Sequence, residues 1–124
     1  MSAARGARAD VYYAVIFTSD LRGSDPEYAE MAQRMLALAS DQPGFLGFET
    51  ARGKDGPGIS VSYWRDLSAI AAWRRDSEHS VAQRLGREKW YSWYRVRVAR
   101  VEREYEWTSD AAAPDTGSAW QSVR

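Results

Sequence analysis

The stretch Val11-Tyr12-Tyr13-Ala14-Val15-Ile16-Phe17 is apolar or aromatic on both of its alternating faces. Such a run predicts a strand covered on two sides and so placed centrally in a sheet. Ser24, Asp25 and Pro26 form a helix start, with capping side chains ahead of a proline suited to the first turn. Behind it Tyr28, Met31, Ala32, Met35, Leu36 and Ala39 recur at helical spacing and predict one buried face. Gln42-Pro43-Gly44 ends that helix. Residues 45–52 and 58–64 read as strands joined by the turn formers of 53–57, a hairpin. Leu67, Ile70, Ala71 and Trp73 predict a short second helix. Ser77 restarts it as a segment running to about Tyr91, which Gly86 bends or ends. Tyr94 to Trp107 then reads as a long last strand. There Val96 and Val98 share one face and Val101, Tyr105 and Trp107 the other, which predicts a bulge near Ala99 or a change of neighbours. The small, polar, aperiodic ends, residues 1–10 and 108–124, are expected to be flexible tails around one domain over 11–107.

The order strand, helix, strand, strand, helix, strand predicts an α+β chain of the ferredoxin-like βαββαβ kind. Its antiparallel four-stranded sheet carries both helices on one face. The other face is left open, yet the first strand is apolar on both sides and the Phe45 to Phe48 stretch must direct apolar groups outward. A second layer is therefore expected, supplied by a homodimer that stacks sheet on sheet.

Composition narrows the chemistry. A chain of 124 residues suits one domain. Cysteine is absent, which removes disulfides, thiol catalysis and sulfur-ligated metal sites, and a single histidine argues against a protein-held zinc, so no metal site is assigned. The 17 basic and 17 acidic residues balance, and the footprint of a nucleic-acid binder is missing. No apolar run approaches the roughly 20 residues of a membrane span, nor does the N-terminus read as a signal peptide, so no membrane partner and a cytoplasmic location are expected. Sixteen aromatic residues, six of them tryptophan, point instead to a heavy core or a pocket for a flat ligand.

Nucleophile elbows, phosphate loops and dinucleotide fingerprints are all missing. On a continuous helix His79, Gln83, Gly86, Trp90 and Trp93 would share one arc, setting the lone histidine among indoles. That offers a base with an ordinary pKa near neutrality beside flat apolar walls. The same pattern also describes a hydrogen-bonded packing histidine, just as Trp64, Trp73 and Trp90 serve equally as core. Ser60, Ser62 and Trp64 alternate against Ile59, Val61 and Tyr63, leaving small hydroxyls on one face, whether pocket lining or solvated surface. Gly44-Phe45-Leu46-Gly47-Phe48 echoes an RNA-binding signature, but Leu46 inserts one residue and is expected to send the second aromatic to the opposite face.

Ser62-Tyr63-Trp64, the helix from Leu67 to Trp73, the segment Trp73-Arg74-Arg75-Asp76-Ser77-Glu78-His79 and the pair Trp90-Tyr91 together resemble the antibiotic biosynthesis monooxygenase (ABM) family over about residues 11–107. The resemblance implies a dimeric α+β barrel and a monooxygenase that acts without a cofactor on a small planar phenol or quinol, using dioxygen. It implies His79 as the catalytic base and Trp64, Trp73, Gln83, Trp90 and Tyr91 as residues holding the aromatic ligand. The family's haem-degrading branch carries a strand asparagine, a tryptophan and a histidine ten residues beyond it. Here Trp73 is followed at that spacing by Gln83, and the chain has no asparagine, which disfavours haem. The asparagine that some phenol-oxidising members use is missing as well. The alternatives are a non-catalytic small-ligand binder on the same scaffold or a haem-binding, haem-degrading relative.

Overall fold

The apolar run near the N-terminus becomes the middle of a sheet. The computed structural model describes residues 11–23, 25–53 and 56–109. Its strands are β1 (Tyr12–Leu21), β2 (Phe45–Arg52), β3 (Gly58–Trp64) and β4 (Tyr91–Val101). Its helices are α1 (Pro26–Ser40), α2 (Leu67–Arg75) and α3 (Ser77–Leu85), and a π-helical turn, Gly86–Trp90, leads from α3 into β4. All pairings are antiparallel in the order β2-β3-β1-β4, the ferredoxin-like arrangement expected from the element order. β1 pairs along both edges, the central position that its doubly apolar run predicts. Residues 1–10, most of the second assigned tail, Ser24 and two residues of the hairpin turn lie outside the described residues.

Asp25 opens α1, its Oδ1 accepting the Glu27 amide at 2.9 Å ahead of Pro26. After α1 the chain turns through Gly44 at a φ of 88°, where a Cβ would stand 2.6 Å from that of Ala69. Only glycine suits both that backbone and that contact. Asp66 caps α2 through the Ala69 amide, and Asp76 caps α3 through the amides of Glu78 and His79.

Register assigns side chains to faces. Crossing from β2 to β4, the inner face carries the row Phe45, Trp64, Tyr13, Arg100, then Phe48, Ser62, Val15, Val98. Next come Thr50, Ser60, Phe17, Val96 and, at the far end, Arg52, Gly58, Ser19, Tyr94. The helices pack on this face around the first row. Trp64, fully buried, meets Ala39 of α1 and Ile70 and Trp73 of α2. Burying an indole contributes on the order of 5 kcal/mol before entropy is counted. Away from that row the cover thins: Phe48, Ser60, Ser62, Val15 and Phe17 are only half-buried, and Val96 and Val98 on β4 are exposed.

Four expectations change. The Phe45 and Phe48 rings both belong to the inner face, because a bulge between Phe45 and Gly47 absorbs Leu46. β1 extends to Leu21, since Thr18 to Leu21 continue its pairing with β4. β4 begins at Tyr91 and ends at Val101, so Tyr105 and Trp107 are not strand residues, and Ala99 sits in unbroken register with Ala14. Simple alternation separates Val98 from Val101, and the irregularity falls at the opposite end, across from Asp20 and Leu21. Finally, the π-helical turn and the early strand remove Trp93 from the helix. It stands on β4 and is 44% exposed.

Candidate active site

One end of the inner face is built around His79. α2 and α3 meet at Asp76, whose Oδ1 accepts the His79 amide at 3.2 Å and fixes that residue in the first turn of α3. The imidazole packs on the Trp73 indole with centroids 4.5 Å apart, Trp73 stacks on Trp64 at 6.2 Å, and Trp64 meets the edge of Phe45 at 5.4 Å. The Trp64 indole nitrogen donates to Ser62 Oγ at 2.8 Å, which satisfies its buried N–H. Histidine Nδ1 is different: it is buried and makes no hydrogen bond among the described residues. Burial holds the His79 pKa below the ordinary 6.5, with Asp76 pulling it up and Arg74 pushing it down. At neutral pH the ring is therefore an uncharged base, and a buried polar atom without a partner is the kind of exception that calls for a functional reason.

The opposite end gathers the residues that the π-helical turn displaces. Trp90 is buried and donates from its indole nitrogen to Asp25 Oδ2 at 3.1 Å. Tyr28 of α1 meets Trp90 edge-on at 5.8 Å and Tyr91 at 5.7 Å, and the Tyr91 hydroxyl reaches that of Tyr28 at 3.4 Å. Phe17 lies against Tyr91 at 5.3 Å and stacks on Tyr94 at 5.2 Å. Burial, reinforced by the Tyr28 hydroxyl, pushes the Tyr91 phenol well above its usual range, so it stays protonated. Arg52 reaches this group, hydrogen-bonded to Ser19 Oγ, with its guanidinium carbon 6.0 Å from the centre of the Tyr28 ring.

Thus the expected site residues fall into two groups. His79, Trp73 and Trp64 form one continuous stack, in which Trp64 is wholly enclosed. Trp90 and Tyr91 belong to the other group, with Tyr28. Gln83 is half-buried on α3, one turn beyond His79. Between the groups runs the half-buried floor of Phe48, Thr50, Ser60 and Ser62, where Thr50 and Ser60 share a 3.0 Å hydroxyl contact. A separate groove of about 650 Å³ opens between α1 and the α3 to π-turn segment, lined by Met31, Leu85 and Trp90 with a charged rim, and it does not include His79. Ser19 carried no mark in the sequence, and Tyr28 only its place on the apolar stripe of α1. The one trace of Arg52 was a glycine facing it across the hairpin, at Gly58.

The profile of the antibiotic biosynthesis monooxygenase family matches residues 12–85. The chain is 54% identical over 93 residues to the uncharacterized protein YqjZ of Bacillus subtilis, covering 75% of this chain and 82% of that protein. It is 29% identical over 92 residues to the jasmonate monooxygenase ABM of Pyricularia oryzae, covering 72% of this chain but only 43% of that relative. In structure it is similar to SnoaB, a cofactor-independent oxygenase from Streptomyces nogalater, with a TM-score of 0.58 at 17% identity over 82% of this chain and 99% of that one. At that identity the structural likeness speaks for the fold alone. With the family profile running from β1 to the end of α3, and the sheet and helices arranged as described, this chain belongs to the antibiotic biosynthesis monooxygenase family.

Proposed function

We propose that this chain is a monooxygenase that needs no bound cofactor and oxidises a small planar phenolic or quinol-type compound lying between the inner sheet face and the helices. The observation that carries the reading is His79 Nδ1, shut away from water beside the Trp73 ring with no hydrogen-bond partner among the described residues. A phenolic hydroxyl supplies that partner once the half-buried imidazole turns Nδ1 toward the cleft, and a neutral imidazole of lowered pKa is in the right state to take its proton. The phenolate then passes one electron to dioxygen. Recombination of the resulting radical pair forms a carbon–oxygen bond, and the peroxide takes back a proton. Where the attacked carbon carries a hydrogen, its loss with the outer peroxide oxygen as water leaves a carbonyl. One oxygen atom enters the product, the other leaves as water, and the substrate supplies both electrons.

The assembly proposed with it is a homodimer stacked through the outer sheet faces. Ile59 at 48% and Trp93 at 44% exposure leave apolar surface on that side, which no helix among the described residues covers. Oxygen uptake with a panel of hydroquinones and anthrones tests the chemistry. His79→Ala is expected to lower turnover by about 10²- to 10⁴-fold, and unchanged turnover removes His79 from the reaction. Sedimentation at the monomer mass of 14.0 kDa would contradict the dimer.

A further inference from the structure

We propose that Arg52 forms an anion-binding subsite at the far end of the inner face, taking the carboxylate of a flat organic acid whose ring body lies along the floor toward Trp73 and His79. This rests on the reading of that space as a ligand cleft, but on none of the oxygen chemistry assigned to it.

Arg52 is the last residue of β2 and faces Gly58 across the hairpin. A Cβ at position 58 would stand 2.6 Å from Arg52 Nε, so the glycine leaves the path over β3 open. By that path the guanidinium spans the neighbouring strand and donates to Ser19 of β1, to Oγ and, at 3.5 Å, to the carbonyl oxygen. Ser19 is fully buried, so this anchor is firm.

A guanidinium carries five N–H donors, and Ser19 engages only part of the fork. Among the described residues Arg52 has no ion pair. Among the described residues, the carboxylates on neighbouring elements have other partners, Asp20 accepting the Leu21 amide at 3.0 Å. Asp25 accepts the Trp90 indole and the Glu27 amide, Glu27 holds Lys89 at 2.8 Å, and Glu49 serves the Tyr63 hydroxyl on the outer face. Half-burying a charge without its counter-charge is costly. A carboxylate is the group whose two oxygens match the fork. The Tyr28 ring beside it supplies a flat wall. A strap between β2 and β1 would need only the Ser19 contacts and leaves the remaining donors unexplained.

The spacing agrees with an elongated ligand. Trp64 and Gly58 are the two ends of β3, about 20 Å apart along an extended strand. The half-buried Ser60 and Ser62 lie between them on the inner face. A polycyclic acid with its carboxylate at Arg52 therefore directs its rings toward the His79 end.

The test compares anthracene carboxylate with its neutral carboxamide, titrated against the full chain and followed by quenching of tryptophan fluorescence. The wild type is expected to prefer the carboxylate by about tenfold or more. In Arg52→Gln the preference should collapse to within about twofold, while Arg52→Lys keeps part of it. A variant-free measurement stands beside this: the carboxylate, and not the carboxamide, should slow modification of Arg52 by phenylglyoxal, read by peptide mass. Equal binding of both probes overturns the subsite and leaves the cleft standing, as does a preference that survives in Arg52→Gln or a modification rate that neither probe changes. If neither probe binds, the cleft itself fails and the subsite with it. A carboxylate preference without any oxygen uptake sinks the oxygenase alone.

Discussion

Replacing His79 with phenylalanine should make the fold more stable and, on the proposed chemistry, abolish turnover. The variant keeps a ring against Trp73, where the centroids now stand 4.5 Å apart, and deletes the buried Nδ1 that makes no hydrogen bond among the described residues. A buried polar atom left unsatisfied costs about 1–3 kcal/mol. Since the imidazole is only partly enclosed, the low end applies, a gain of about 1 kcal/mol, or roughly 4–8 °C in Tm for a domain of this size. The gain should also depend on pH. Burial places the folded-state pKa of His79 below the ordinary 6.5, so the unfolded chain takes up a proton first as pH falls. Wild type therefore loses stability as pH drops through the unfolded value, and the loss levels off below the folded one. The phenylalanine variant lacks this term, and its advantage widens over the same interval. Urea denaturation of both proteins at about pH 8 and about pH 5.5 reads the two effects, because the shared carboxylates cancel in the comparison. A variant less stable at the higher pH, or an advantage that does not grow on acidification, would refute the placement of an unsatisfied, desolvated imidazole.

Three further outcomes follow from particular contacts. Gly86→Ala puts a Cβ 2.8 Å from Tyr91 Cε2, on a ring already held by Phe17, Tyr28 and Tyr94. The clash should outweigh the gain in helix propensity and lower stability by about 1 kcal/mol in urea unfolding, whereas a stabilised variant would mean that the Tyr91 ring moves freely. Asp25→Ala removes both the α1 cap and the acceptor of the Trp90 indole, and should cost about 1–2 kcal/mol with a red shift in tryptophan emission. Arg34→Ala breaks the 2.7 Å contact with Glu78 between α1 and α3, but both side chains face solvent. Its denaturation midpoint should match wild type once salt is added, and a large salt-independent loss would contradict that exposure.

The sequence alone was sufficient wherever a local pattern and its tertiary use coincide. The doubly apolar run of β1 implied a central strand, the Asp25-Pro26 start and the glycine at position 44 bounded α1, and both hairpin strands keep their expected limits of 45–52 and 58–64. The Trp73 ring beside His79 was not read there, because the helical arc set Trp90 and Trp93 around the histidine, and the contact arises where α2 and α3 meet.

Tertiary structure decided what periodicity could not. A uniform 100° rotation per residue places Trp90 and Trp93 on the arc of His79, but the π-helical turn changes the phase and β4 starts directly after it, so Trp90 and Tyr91 join Tyr28 instead. Likewise a strict period of two sends Phe48 outward, and one bulge at Leu46 returns it to the inner face. Arg52 lies beyond either kind of reading. Its side chain crosses β3 over a glycine to reach a serine on β1, a meeting set by sheet register between residues far apart in the chain. Local composition determines which elements form, whereas the rows in which they align determine which side chains can meet a ligand together.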